Sequence, residues 1–301
     1  MDARPDRIAK RAPHDISERE SGAVTSCDGT LIGYHVMGQG PGVVLVQGAM
    51  GTAHNYEQLS CILAKDFTVF RPDRRGRGMS PKTYNPEHTI GRDVEDLAAL
   101  LEKTGARFVF GLSSGAMIVL ESLRLRLPID KAVAYEPPFY LAGMAHPMIA
   151  RFNRQIEDGQ SAAALATAFR IVGLGPPVMR YVPDLVLRIM TSRLLRSDKR
   201  RGPGPYSGLA ELLPAMRYDF ADVGGMDGKL MSLKAIQTPL LLLRGDRSPA
   251  YLKAAAAAVE AVVQDAELRE LKGLDHSGPW NIDRGGNPEP VARALINFFS
   301  S

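Results

Sequence analysis

From residue 42 onward the apolar positions alternate between two kinds of segment. Short, nearly continuous apolar runs recur at "GVVLVQG" (42–48), "FTVFRPD" (67–73), 107–111, "KAVAYEP" (131–137), "TPLLLLRGD" (238–246) and "ELREL" (267–271). Most have the length and unbroken character of strands buried on both faces. Between and after them, residues 53–64, 89–105, 114–126, 249–263 and 288–300 read as helices. The clearest is 89–105, where apolar residues recur near every 3.6 positions and the pattern stops at Gly105. Ahead of this series, "AVTSCDGTLIGYHVMG" (23–38) carries two β-prone runs around Asp28-Gly29, which predicts a hairpin.

Alternating buried strands and helices predict a mostly parallel sheet with helices on both faces. The rhythm breaks after Pro138. Residues 139–236 hold helix-like patches rich in Leu, Met, Pro and Arg, with a loop at 200–208 and no convincing strand. The expected organisation is therefore an α/β core, 21–138 and 237–301, interrupted by a helical cap at 139–236. Residues 1–20 mix acidic and basic side chains without an apolar segment and are expected to form a mobile tail.

Composition narrows the classes. The 301 residues are 45% hydrophobic and 23% charged, an ordinary globular balance. Lys plus Arg exceed Asp plus Glu by 37 to 33, an excess too small to suggest a nucleic-acid partner. The densest basic run, Arg193, Arg196, Lys199, Arg200 and Arg201, reads as a solvated helix end. Cys27 and Cys61 have no spacing that suggests zinc or a disulfide framework, so free thiols in a cytoplasmic protein are expected. No apolar run is long enough for a membrane span. Neither a metal-ligand constellation nor a glycine-rich phosphate loop is evident. A small-molecule substrate, no cofactor, and a monomer or homodimer are the corresponding expectations.

The candidate chemistry begins at Gly111-Leu112-Ser113-Ser114-Gly115, a G-x-S-x-G sequence between a strand and a helix. On such a turn the middle serine is presented as a nucleophile, and the helix that follows aims its free N–H groups at the reacting atoms. The spacing selects Ser113 for attack and Ser114 for a backbone oxyanion donor. A serine hydroxyl needs an adjacent base. Of the six histidines only His276, in "LKGLDHSGPW", follows the last predicted strand, where the carboxyl ends of a parallel sheet gather ligands. His54, just after the strand at 42–48, is the alternative. His14 and His88 read as surface residues, His35 as part of the hairpin and His146 as part of the insertion.

With these motifs the chain, over about residues 22–300, resembles the α/β-hydrolase family. "VVLVQGAMG", "FRPDRRGRGMS", "GLSSGA" and "LKGLDHSG" carry the resemblance. It implies the α/β-hydrolase fold, a serine, histidine and acid triad, and no cofactor. In the family the loop after the third strand commonly reads His-Gly-x-x-Gly; here it is Gln47-Gly48-Ala49-Met50-Gly51, which makes the Ala49 N–H the second oxyanion donor. The charged loop of Arg71, Asp73, Arg74, Arg75 and Arg77 corresponds to a structural loop beside the active site. Family members usually carry the acid as Gly-x-x-Asp after the strand that follows the cap. Here that register gives Ser248, with Asp246 two positions early. Some members place the acid at the end of the preceding strand, where Glu136 stands. Glu136 is preferred, Asp246 is the alternative, and Asp275 beside His276 is a third candidate.

The mechanism expected is acyl transfer, and a cap rich in Leu, Met, Pro and Tyr suggests a small to medium apolar ester or lactone. Cofactor-free chemistry on the same fold (thioester or C–C hydrolysis, perhydrolysis, cyclisation) and ligand binding with little turnover are the alternatives. The elbow has no aspartate, which argues against chemistry that needs a carboxylate nucleophile there.

Overall fold

The computed structural model describes residues 20–173, 181–200 and 204–301. The expected tail lies outside the described residues except for Glu20, which opens the first strand. Arg201 and part of the loop expected at 200–208 also lie outside them.

Eight strands form one sheet: β1 (Glu20–Thr25), β2 (Leu31–Met37), β3 (Gly42–Val46), β4 (Thr68–Pro72), β5 (Phe108–Leu112), β6 (Lys131–Tyr135), β7 (Leu240–Gly245) and β8 (Ala266–Leu271). Their spatial order is β1-β2-β4-β3-β5-β6-β7-β8. Strand β2 runs antiparallel to both neighbours, and every pair from β4 to β8 is parallel. The apolar runs are continuous because the central strands are covered on both faces. Val43, Val44, Leu45, Val109, Phe110, Val133 and Leu242 are wholly buried.

Helices α1 (Glu57–Leu63), α2 (Ile90–Thr104) and α3 (Ser114–Arg124) belong to the first half of the core. A 3₁₀ turn, Ala53–Tyr56, opens the segment expected as one helix at 53–64. In α2 the buried positions Ile90, Val94, Leu97, Leu100 and Leu101 make one stripe, and Gly105 closes the helix with φ +69. Between β6 and β7 come α4 (His146–Glu157), α5 (Ser161–Val172), α6 (Asp184–Arg200), α7 (Leu209–Leu212) and α8 (Met216–Gly225). No strand occurs among the described residues of 139–236. Helices α9 (Ala250–Val262) and α10 (Pro288–Ser300) complete the core.

Two apolar clusters flank the sheet. One gathers Leu97 and Leu100 of α2, Ile118 of α3 and Val259 of α9; the other gathers Leu59 and Leu63 of α1 with Leu295 and Phe299 of α10. A third lies within the insertion, where Phe152 and Phe220 meet edge to face at 5.0 Å. Ala49 and Met50, from the loop after β3, pack against this third cluster, so the insertion sits over the carboxyl ends of the strands. Arg193, Arg196, Lys199 and Arg200 are exposed on α6. Cys27 and Cys61 are free thiols, and no described helix is long and apolar enough to cross a membrane.

Candidate active site

Strand β5 ends in a sharp turn at Ser113, which has φ 55 and ψ −123. A non-glycine residue in such a conformation costs about 1–3 kcal/mol and persists only where its surroundings enforce it. Close packing supplies that enforcement. A Cβ on Gly115 would fall 2.5 Å from the carbonyl oxygens of Val46 and Gln47, and one on Gly111 would fall 2.5 Å from the Gly115 oxygen. Gly115 thus lets α3 start against the end of β3, and Gly111 lets it lie directly against β5. The Ser113 N–H is anchored on the Tyr135 carbonyl of β6 at 2.9 Å.

Ser113 and His276 line one cavity of about 170 Å³. Its floor is Gly48, Ala49, Leu112 and Ser114 of the core, and its walls are largely insertion residues such as Leu165, Phe169, Val172, Met216 and Phe220. Tyr140 and Tyr251 stack at 5.7 Å in the wall, and their hydroxyls donate to the carbonyls of Ile171 and Val172. No Lys or Arg occurs among the described lining residues.

Behind His276, its Nδ1 stands 2.6 Å from Glu136 Oε2. Glu136 is wholly buried and, like Ser113, has positive φ, here 49°. Its other oxygen, Oε1, accepts from the Gly245 N–H at 2.7 Å and from the Ser248 hydroxyl. The carboxylate therefore has the partners that a buried charge needs. Asp246 is not brought to His276: its Oδ1 accepts from the Gly273 N–H at 2.7 Å and braces a turn. Asp275 is turned onto the backbone N–H and hydroxyl of Ser277. His54 pairs with Glu57 at 2.8 Å and is not part of the cavity wall.

The sequence profile of the Alpha/beta hydrolase family matches residues 43–294. The chain belongs to the alpha/beta hydrolase family. Its sequence is 35% identical over 114 residues to "Uncharacterized hydrolase YraK" of Bacillus subtilis (strain 168). That match takes in 36% of this chain and 42% of the relative, so the chain spans less than half of that protein's length. An alpha/beta hydrolase from Sphaerobacter thermophilus DSM 20745 superposes with a TM-score of 0.73 at 30% identity, covering 92% of this chain and 100% of the other. The esterase RhEst1 from Rhodococcus sp. ECU1013 shares the fold, with a TM-score of 0.63 at 20% identity over 93% and 98% of the two chains.

In this alpha/beta hydrolase both expected oxyanion donors border the cavity. Ser114 is the first residue of α3, so its N–H has no carbonyl four residues back to bond. Ala49 lines the same space. The Ser114 side chain, to which the sequence assigned nothing, is buried, donates to Asp219 Oδ1 at 2.7 Å and accepts from Arg74 Nη1 at 3.1 Å. No local signal marks this pair, because Asp219 lies 105 positions away in the insertion. Gln47 is also buried, and its amide donates to the Pro72 carbonyl, tying the loop after β3 to the end of β4.

The arginine loop turns inward as one ionic cluster. Arg74 binds Asp93 at 3.0 Å, Asp219 at 2.6 Å and Asp222, and Arg77 binds Asp219 at 2.9 Å. His88, expected at the surface, is buried with Nε2 at 3.0 Å from Asp222 and 3.1 Å from Asp93. Burial alone would lower the His88 pKa; its bonds to Asp222 and Asp93 outweigh that and push it up to about 9. His88, Asp93 and Asp222 converge closely enough to hold a metal ion. Arg74 already uses one oxygen of each carboxylate, however, and the imidazolium occupies the other side. Arg74, Arg77 and His88 thus face three buried acids, of which Asp222 is pushed up to about 7 by burial and the neighbouring Asp93. Burial would also raise the Asp219 carboxyl, but the charges of Arg77 and Arg74 hold it below the usual carboxylate range.

Proposed function

We propose that the protein is a serine hydrolase for uncharged esters or lactones of small to medium apolar acyl groups, acting through an acyl-enzyme. The carrying observation is that Ser113 and His276 face one apolar cavity while Glu136 meets His276 Nδ1 at 2.6 Å. With Nδ1–H donated to Glu136, Nε2 is the basic nitrogen. It takes the Ser113 proton as Oγ attacks the substrate carbonyl. The resulting oxyanion is received by the N–H groups of Ala49 and Ser114. His276 then gives its proton to the leaving alkoxide, which departs as an alcohol. Water repeats the sequence on the acyl-enzyme, releasing the acid and restoring Ser113. Glu136 stabilises the imidazolium in both halves without taking its proton.

The wall chemistry favours an uncharged substrate. The described lining offers no cation for a substrate carboxylate, and its one acid, Asp219, is already balanced by Arg74 and Arg77.

The test is single-turnover release of p-nitrophenol from acetate, butyrate and octanoate esters. A burst is expected in the wild type and in no Ser113→Ala sample, and a p-nitrophenyl hemisuccinate should be a poor substrate. Ester turnover that survives Ser113→Ala would sink the assignment. No ester or thioester turnover, with Ser113 still labelled by a fluorophosphonate, would transfer the site to cofactor-free chemistry of another kind.

A further inference from the structure

We propose that the buried cluster of Arg74, Arg77 and Asp219 aims both oxyanion donors, with Arg77 the positioning residue for the Ala49 N–H. This rests on the acyl-transfer reading of the site. Its starting point is the planarity of the peptide bond. In a trans peptide the C=O of one residue and the N–H of the next point in opposite directions. Arg77 Nη1 donates to the Gly48 carbonyl at 3.3 Å. That contact pulls the Gly48–Ala49 peptide oxygen toward the cluster and turns the Ala49 N–H the other way, on the side where Ala49 borders the cavity. Arg74 Nη1 donates to the preceding carbonyl, Gln47, at 3.2 Å. Two consecutive carbonyls are therefore held by two arginines.

Within the loop the Gly51 N–H also reaches the Gly48 carbonyl, at 3.4 Å, a longer contact than that of Arg77. The loop follows the last residue of β3, so no sheet ladder fixes its peptides, and Met50 within it has φ 58. It also presses on the elbow: a Cβ on Gly48 would come within 3.0 Å of the Leu112 oxygen and of Ser113 Cβ. A small rotation of the Gly48–Ala49 peptide would move the donor away from the carbon that Ser113 attacks.

The second donor is governed by the same groups. Asp219 Oδ1 accepts from the Ser114 hydroxyl at 2.7 Å and Arg74 donates to that hydroxyl, which fixes the residue whose N–H completes the hole. Asp219 Oδ2 holds Arg77 at 2.9 Å. A carboxylate beside a developing oxyanion would oppose catalysis by repulsion; paired with both arginines, it instead orders them. Because Asp219 lies on α8, docking of the insertion and alignment of the hole are one event.

The test compares Arg77→Met, Arg77→Lys, Asp219→Asn and Arg75→Met with the wild type, using a p-nitrophenyl butyrate assay, inhibition by a trifluoromethyl ketone and thermal melting. Arg75 belongs to the same loop but binds Asp96, Asp28 and the Arg92 carbonyl, and stands 3.9 Å from Asp93, beyond hydrogen-bond reach. Arg77→Met should lower kcat about 10- to 100-fold with KM near wild type, and weaken the ketone, which mimics the tetrahedral adduct, by a similar factor. Arg77→Lys should recover part of the loss, and Asp219→Asn, close in shape to the native residue, should lower kcat in the same sense. Arg75→Met should keep kcat and ketone affinity even where its Tm falls. Wild-type kcat and ketone affinity in folded Asp219→Asn and Arg77→Met would overturn the proposal. So would a loss in Arg75→Met that matches Arg77→Met and follows Tm. Ser113→Ala is assayed alongside: if it stays active the acyl-transfer reading falls, whereas a dead Ser113→Ala with unaffected cluster variants removes only this inference.

Discussion

The hydroxyl of Ser248 donates to Oε1 of Glu136, the carboxylate whose Oε2 stands 2.6 Å from His276 Nδ1. The two residues come from different strand ends, 112 positions apart. Ser248 occupies the register in which the family usually carries its aspartate. At this site the usual acid position supports an acid supplied by the neighbouring strand.

That relationship makes the acid assignment testable. Glu136→Gln should lower kcat by about 10³- to 10⁴-fold, the scale expected when the imidazole loses its anionic partner. Ser248→Ala should cost about ten-fold, since Glu136 keeps the Gly245 N–H. Asp246→Asn should leave kcat unchanged. Adding Ser248→Asp to Glu136→Ala should return part of the lost activity. Steady-state kinetics on one ester decides all four, and a dead Asp246→Asn beside an active Glu136→Gln would reverse the assignment.

The elbow tolerates no added methyl group. In Gly115→Ala the new Cβ meets the carbonyl oxygens of Val46 and Gln47 at 2.5 Å, and neither belongs to a side chain that could swing aside. Destabilisation of about 1–3 kcal/mol, the range for overpacking, is expected in urea melts, together with loss of burst amplitude. Gly91→Ala, where the nearest atom is the Thr89 hydroxyl at 3.4 Å on a helix end, should leave both unchanged.

His88 ties stability to pH. Its pKa is about 9 in the fold and near 6.5 in the unfolded chain, so the folded state binds its proton more tightly. The resulting stabilisation is complete below about pH 6.5 and disappears as the pH rises through about 9. Burial and Asp93 push the Asp222 carboxyl itself up to about 7, so Asp222 is the anionic partner only above that pH. The gap in unfolding free energy between wild type and His88→Gln should therefore be wider near pH 7.5 than near pH 10. A gap that widens over that range would contradict the imidazolium assignment.

The insertion should set acyl length. Leu165→Trp adds bulk to the cavity wall contributed by α5. The ratio of octanoate to acetate turnover should fall by about ten-fold or more, with acetate turnover little changed. A uniform fall across chain lengths would mean that Leu165 acts through folding instead.

Much of this architecture can be read in one dimension, because a strand buried on both faces must be apolar at nearly every position. The runs 42–46 and 240–243 could hardly be anything else. The elbow was legible for a related reason: two glycines and a serine at fixed spacing report a close approach of backbones. The acid was not settled, since Glu136 and Asp246 both end buried strands and only three-dimensional packing selects the one that meets His276. His88 was misassigned because its partners, Asp93 and Asp222, give a polar neighbourhood in sequence whichever side of the surface it occupies. The role of the arginine loop was half visible. Its charges are plain in the sequence, but their counterions on α8 belong to a segment whose helices have no motif of their own.

The placement of Glu136 just before the insertion bears on how such an enzyme can change. The proposed nucleophile, acid and oxyanion loop all precede residue 139, so the segment that walls the cavity can be exchanged without disturbing their mutual spacing. Asp219 limits this freedom. A recombination that ends ahead of α8 would deliver a new specificity onto an aligned site, whereas one that carries α8 away would have to bring an equivalent carboxylate with it.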